Sequence, residues 1–250
     1  MAKIHFVGVP TVSHDQILRN REECRKRGYA RISDSKKRDG RLAVVGGGPS
    51  VLSYLDEIRA CNEVWGINGA CQMLAKHGIE STMFAVDPDP IVVKWCPGVK
   101  RAILNDRICP EAFDALSGAD IQVFELANDT PDGVTSGSST ASAAFTLGIK
   151  MGWAYIDFFG VDSSYEGATH AYQDEARKEE LWVECGGRSY RTAPDFYLQA
   201  LEMSYIIRHF QNHYRAFGDG LLQAMIADPE HDITHVSGDL MAQLKPQKAA

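Results

Sequence analysis

Residues Leu42-Ala43-Val44-Val45-Gly46-Gly47-Gly48-Pro49-Ser50 run from four apolar side chains into three glycines, a proline and a serine. An apolar run closed by glycines reads as a buried strand. Pro49 suits the first turn of a helix, where its missing N–H has no partner to lose. Val51, Leu52, Leu55 and Ile58 then recur at helical spacing. Strand, tight turn and helix in this order point to a layered α/β fold. Glycines let a backbone approach a ligand closely, and free amides at a helix start attract anions such as phosphate. This turn is the place to look for a nucleotide. It is no P-loop, because no Lys-Ser/Thr follows, and Val51 stands where the third glycine of a dinucleotide fingerprint belongs. A tight turn without a ligand is the competing reading.

The rest of the main body repeats the alternation. Strands are expected at 42–45, 63–67, 83–86, 102–104, 121–126 and 154–159, with helices at 49–60, 69–77, 111–117 and 139–151. Near-continuous apolar strands are those of a parallel sheet covered on both faces. Right-handed crossovers then give a doubly wound, mostly parallel sheet with helices on both faces. Gly186-Gly187 marks a late β-hairpin, with strands at 181–185 and 188–190. Thr192-Ala193-Pro194-Asp195 reads as a helix cap opening a long C-terminal helix over 192–217, closed by Gly218. Three regions are expected: a basic helical segment at 1–41 with a polar connector over 31–40, a nucleotide-binding α/β domain at 42–228, and a polar tail at 229–250.

Charge is uneven along this arrangement. Residues 1–41 hold 11 Lys/Arg against 5 Asp/Glu, whereas the remainder holds 15 against 28. Either the basic segment is an arm for an anionic partner, or its charges pair with the acidic body. The formal net charge of −7 argues against a nucleic-acid backbone as partner. No apolar run reaches the roughly 20 residues that span a bilayer, and the start lacks the layout of a secretion signal. Six cysteines without a C-x-x-C pair suit reduced thiols in a cytoplasmic protein. A homo-oligomer is left open.

In open α/β sheets ligands bind beyond the carboxyl ends of the strands, so the residues at those ends are the candidates. They are Gly46, Gly47, Gly48, Pro49 and Ser50 after the first strand, Asn68 after the second, Asp87 and Asp89 after the third, and Gly160, Asp162, Ser163, Ser164 and Tyr165 after the sixth. Asp87-Pro88-Asp89 places two carboxylates where both can reach a magnesium ion on phosphate oxygens. Turns favour aspartate anyway, so a structural turn stands beside the metal reading. Ser138, Ser139 and Thr140 precede a helix, where hydroxyls either cap it or hold phosphate. His170 sits in a loop, where a histidine can exchange protons near neutral pH. The pairs His209/His213 and His231/His235 have helical spacing but lack the Cys or Glu companions of zinc sites.

Together these pieces resemble the 6-hydroxymethylpterin diphosphokinase MptE-like proteins, a group related to sialyltransferase-like enzymes and flagellin motility accessory factors. The resemblance covers about residues 42–202. It rests on the glycine run, Asn68, Phe84-Ala85-Val86-Asp87-Pro88, Thr140-Ala141, Phe159-Gly160-Val161-Asp162 with Tyr165, Thr169-His170-Ala171, and Gly187, Thr192, Phe196 and Glu202. It implies a Rossmann-like α/β domain that binds a nucleotide at the glycine turn, in a transferase that moves diphosphate from ATP to the hydroxymethyl group of a reduced pterin with magnesium. Sialyltransferase-like relatives instead use a cytidine-monophosphate sugar. Phosphate would lie on Gly46, Gly47, Gly48 and Ser50, the nucleotide against Asn68 and Asp87, and the acceptor beside Asp162 and His170. A non-catalytic nucleotide-binding module is the third reading.

Overall fold

A computed structural model describes residues 12–33, 36–127, 129–134, 137, 139–165, 180–209 and 213–228. Ser138, His170, the His231/His235 pair and the tail from residue 229 lie outside these residues. So do residues 1–11.

Eight strands form one parallel sheet in the order β1-β6-β5-β4-β3-β2-β7-β10. They are β1 (Ala30–Arg31), β2 (Arg38–Val45), β3 (Glu63–Ile67), β4 (Thr82–Ala85), β5 (Arg101–Asn105), β6 (Asp120–Phe124), β7 (Trp153–Phe159) and β10 (Tyr214–Phe217). The hairpin β8 (Leu181–Cys185) and β9 (Arg188–Thr192) stands apart as an antiparallel pair. The doubly wound α/β architecture is thus present, with its late hairpin.

Alternation along the strands decides which layer each residue enters. Leu42 and Val44 of β2 join Trp65, Phe84, Ile103 and Phe124 on one face, under α5 (Thr140–Lys150), α6 (Pro194–His209) and α7 (Leu221–Ala227). Trp65 and Phe84 stack there at 5.5 Å, and Phe84 and Phe124 at 5.3 Å. Ala43 and Val45 face the other way, toward α2 (Leu55–Arg59) and α3 (Ala70–Lys76). Further along that second face, Met83, Leu104 and Val123 meet α4 (Pro110–Ala115) and Cys24 of α1 (His14–Arg27). Each large apolar side chain so buried contributes about 1.5–3 kcal/mol. Both faces being covered explains why the strands read as unbroken apolar runs.

Three expectations need correction. The long helix does not reach Phe217: α6 ends at His209, and Tyr214–Phe217 is an edge strand parallel to β7. A period of two is the reason. Arg215 forks onto the buried Asp157 at 2.9 and 2.7 Å and Phe217 stacks on Phe159 at 4.5 Å, while Tyr214 turns to Phe145 on the opposite face. Thr192 does not cap α6, because it ends β9 and its hydroxyl donates to the Ser163 carbonyl at 2.6 Å. Residues 38–40 of the expected connector, with Arg41, are the first half of β2, where Asn62 Oδ1 accepts the Arg41 amide at 2.8 Å.

The basic N-terminal residues spend much of their charge inside the fold. Arg21 of α1 donates to the fully buried Asp106 at 2.9 Å and lies 3.3 Å from Asp129. Arg107 forks onto Asp129 at 2.7 and 2.8 Å. Arg25 and Arg31 both reach Glu125, and Arg27 reaches Asp114 at 2.7 Å. Among the described residues no helix is long and apolar enough to cross a membrane.

Candidate active site

The chain winds from β2 outward through β3, β4, β5 and β6, then returns to place β7 on the other side of β2. The strand order thus reverses between β2 and β7, and doubly wound folds bind ligands at the carboxyl edge beside such a switch point. A cavity of about 440 Å³ lies there. Gly46, Gly47, Gly48, Asn68, Asp87, Ser139, Thr140, Gly160 and Asp162 all line it. Pro49, Ser50 and Asp89 do not contribute to its wall. Residues the sequence did not single out also line it, namely Ile91, Trp95 and Gln199, together with Phe196, which had served only the family resemblance, and Ser163, which had counted only as one of several strand-end groups.

The glycines are required chiefly by the neighbouring strand. An ideal Cβ on Gly46 would stand 2.5 Å from the Gly160 carbonyl oxygen, and one on Gly48 would overlap the Asp162 carboxylate. The Gly46 amide donates to the Phe159 carbonyl at 2.8 Å, and the Gly48 amide to the Gly160 carbonyl at 2.7 Å. Asp162 takes the remaining groups of the turn. Its Oδ2 accepts the Ser50 amide at 3.1 Å and its Oδ1 the Ser50 hydroxyl at 2.5 Å. Burial pushes the Asp162 carboxyl above its ordinary pKa, against the pull of those two Ser50 donors. An internal carboxylate thus occupies the helix start where phosphate was expected. Gly47 alone keeps an amide unpaired in this turn, since Pro49 has none and the Val51 amide bonds to the Gly48 carbonyl at 3.2 Å.

Free amides also come from α5. Ser139 caps it by accepting the Ser142 amide at 3.2 Å. The amides of Thr140 and Ala141 have no partner among the described residues, and both residues line the cavity. Helix starts carry about half a positive charge, so this end favours an anion.

Among the described residues two non-glycine residues adopt left-handed backbone, Asn68 at φ 52° and Ser163 at φ 54°, and both line the cavity. Such conformations cost about 1–3 kcal/mol and cluster where function needs them. Asn68 Oδ1 is buried and has no hydrogen-bond partner. Its backbone is fixed by its amide on the Phe84 carbonyl at 3.0 Å and by the Cys71 thiol on its own carbonyl at 3.1 Å. Burial pushes the Cys71 thiol up to about 12, which keeps it a donor. Gln199 Nε2 donates to Ser163 Oγ at 2.8 Å, leaving the Ser163 hydroxyl proton available to another acceptor.

Asp87 and Asp89 form a turn. Asp87 Oδ1 accepts the Asp89 amide at 2.9 Å, and Asp89 Oδ1 accepts the Ile91 amide at 2.8 Å, capping the 3-10 helix Pro90–Trp95. Only Asp87 of the pair faces the cavity. Among the described residues no three His, Cys, Asp or Glu side chains are gathered to hold a metal ion. A magnesium carried mainly by phosphate oxygens and water needs only one or two carboxylates, which Asp87 fits.

A family model described as 6-hydroxymethylpterin diphosphokinase MptE-like matches residues 15–168. The chain belongs to this family. The match begins inside α1 and runs past β7, so the MptE-like region includes the glycine turn, Asn68, Asp87 and the start of α5. No curated protein matches the chain. Among solved structures, the MAf glycosyltransferase from Magnetospirillum magneticum AMB-1 shares the fold with a TM-score of 0.64 at 15% identity. That likeness covers 95% of this MptE-like chain and 42% of the glycosyltransferase chain.

Proposed function

We propose that this MptE-like chain is a nucleotide-dependent transferase that moves diphosphate from ATP to the hydroxymethyl group of a pterin-like alcohol. One observation carries the reading: the switch-point cavity joins the unpaired amides of Thr140 and Ala141 to the buried, partnerless Asn68 Oδ1. An anionic ligand that also brings a hydrogen-bond donor satisfies both. The family description, which names a 6-hydroxymethylpterin diphosphokinase, supports diphosphate transfer to a hydroxymethylpterin.

In this reaction the alcohol oxygen attacks the β-phosphorus of ATP. The bond from that phosphorus to the bridging α-phosphate oxygen breaks, AMP leaves with the electron pair, and the hydroxyl proton passes to a base. Such transfer asks a protein mainly for positioning and charge neutralisation. The α5 start and the Gly47 amide face the phosphates, and Asn68 accepts from the nucleoside. Asp87 would hold magnesium, which supplies positive charge to the phosphates when bound. Asp162 positions the glycine turn through Ser50. His170, outside the described residues, stands as the sequence candidate for the base.

A second reading, transfer from a nucleotide sugar, is favoured by the glycosyltransferase fold match over nearly the whole chain. There an acceptor hydroxyl attacks the sugar's anomeric carbon and the nucleotide phosphate leaves. One experiment separates the readings. The chain is incubated with magnesium and either ATP plus 6-hydroxymethylpterin or a cytidine-monophosphate sugar, and thermal shifts and products are measured. A ligand that binds the native state at 100 times its Kd adds about 2.7 kcal/mol to stability, enough to shift Tm by several degrees. AMP released only with the pterin supports the diphosphokinase. CMP released from the sugar favours the glycosyltransferase, and a shift without turnover leaves a binding module. No shift with any nucleoside phosphate overturns all three.

A further inference from the structure

The cavity wall contains a tryptophan that the proposed reaction does not use. Trp95 closes the 3-10 helix Pro90–Trp95 and lines the cavity with Ile91, one turn earlier. The stem beneath it is fixed. Asp89 caps the first turn at 2.8 Å, Val92 and Cys96 are buried in the core, and Gln72 Nε2 donates to the Lys94 carbonyl at 3.1 Å. The Cys71 thiol also reaches the Trp95 carbonyl, at 3.8 Å. Trp95 itself is only partly buried. By contrast, Trp65 and Trp153 are packed into the core.

Strand order locates this apolar surface relative to the polar one. The glycine turn and residues 160–164 stand at the ends of β2 and β7. Ile91 and Trp95 follow β4, which lies two strands from β2 with β3 between them. Two strand spacings amount to about 10 Å. The crevice therefore has the glycine turn and residues 160–164 at the switch point and, across Ile67 and Asn68 of the β3 end, the apolar pair Ile91 and Trp95, with Asp87 beside them after β4. A ligand with an anionic end and a flat heterocyclic end matches that division.

We infer that Trp95, backed by Ile91, is the platform on which the base of the bound nucleotide stacks. The inference rests on the nucleotide reading above and adds where the base lies. Aromatic faces accept any base, so Trp95 contributes affinity for nucleotides more than choice among them.

The test measures binding of ATP and of CMP to the full chain by calorimetry for the wild type, Trp95→Ala and Trp95→Phe, with circular dichroism to show that each is folded. Trp95→Ala is expected to weaken whichever nucleotide binds by about 10- to 100-fold, and Trp95→Phe by about threefold or less, because a ring remains. Nucleotide-induced quenching of tryptophan fluorescence is expected in the wild type and absent from Trp95→Phe. An Ala variant within twofold of the wild type, or a Phe variant as weak as the Ala one, overturns this inference alone. A wild type that binds neither nucleotide overturns the parent reading and this one with it.

Discussion

Two polar regions sit at the carboxyl edge of the same sheet and treat their polar groups in opposite ways. Around the buried Arg21, charges answer one another: Asp106, Asp129 and Glu125 face Arg21, Arg25, Arg31 and Arg107. Around the switch point, the groups that the fold requires are paired and others are left over. Asp162 is consumed by Ser50, yet Asn68 Oδ1 and the amides of Gly47, Thr140 and Ala141, all on residues that line the cavity, have no partner among the described residues. Buried polar atoms in the Arg21 cluster that lack a hydrogen bond, Arg21 Nη2 and Asp106 Oδ1, belong to groups already ion-paired. The first region therefore reads as structure that docks α1, and the second as a place prepared for a ligand.

Removing one partner from each region should separate stability from binding. Arg21→Met leaves Asp106 buried and uncompensated, and such losses cost about 3–5 kcal/mol. Urea unfolding should register that loss, while calorimetry on the still-folded variant should give an unchanged nucleotide affinity. A tenfold loss of affinity would erase the distinction between the two regions. Asn68→Gly should do the reverse. It relieves a left-handed backbone and deletes an unpaired acceptor, so stability should hold or rise by about 1 kcal/mol while nucleotide binding weakens about tenfold. A marked drop in stability would make Asn68 a structural residue.

Acidification gives the smallest and most diagnostic contrast. Burial opposes ionisation of Glu125, but the hydrogen bond and charge of Arg31 outweigh it and hold the carboxyl below its ordinary pKa. Asp129 is held down likewise, burial being outweighed by Arg107 and Arg21. Depressed carboxylates contribute stability that is present above the unfolded pKa, near 4, and is lost as pH falls through the folded value. Asp162 has the opposite sign. Its raised pKa gives stability that is full below the unfolded value and is lost as pH rises through the folded one. Stability measured across pH 3–7 should therefore fall less steeply toward acid in Arg21→Met than in the wild type. Asp162→Asn should lose the opposing slope above pH 4. Parallel curves for wild type and both variants would contradict these assignments.

Much of the frame was legible in the sequence because local pattern and tertiary role agree there. The core strands, the Ser139 cap and the hairpin at Gly186-Gly187 fall where apolar runs and turn residues predict. The edge strand β10 was hidden because Tyr214–Phe217 continues a helical-looking pattern, and only Asp157 and Phe159, nearly sixty residues earlier, reveal its period of two. The glycine turn was found for a partly different reason than its structure gives. Its position at the switch point is as expected, yet the amides of Gly46 and Gly48 serve β7 and residue 160, contacts that no local pattern announces. Trp95 and Gln199 escaped notice because a tryptophan in a loop or a glutamine in a helix carries no signal until topology brings it to the crevice.

The most direct test of the account is a structure of the chain with a non-hydrolysable ATP analogue and magnesium. The account predicts phosphate oxygens on the Thr140 and Ala141 amides, with Asn68 Oδ1 accepting a hydrogen bond from the nucleoside. A nucleotide bound elsewhere, with the start of α5 and Asn68 left solvated, would contradict it.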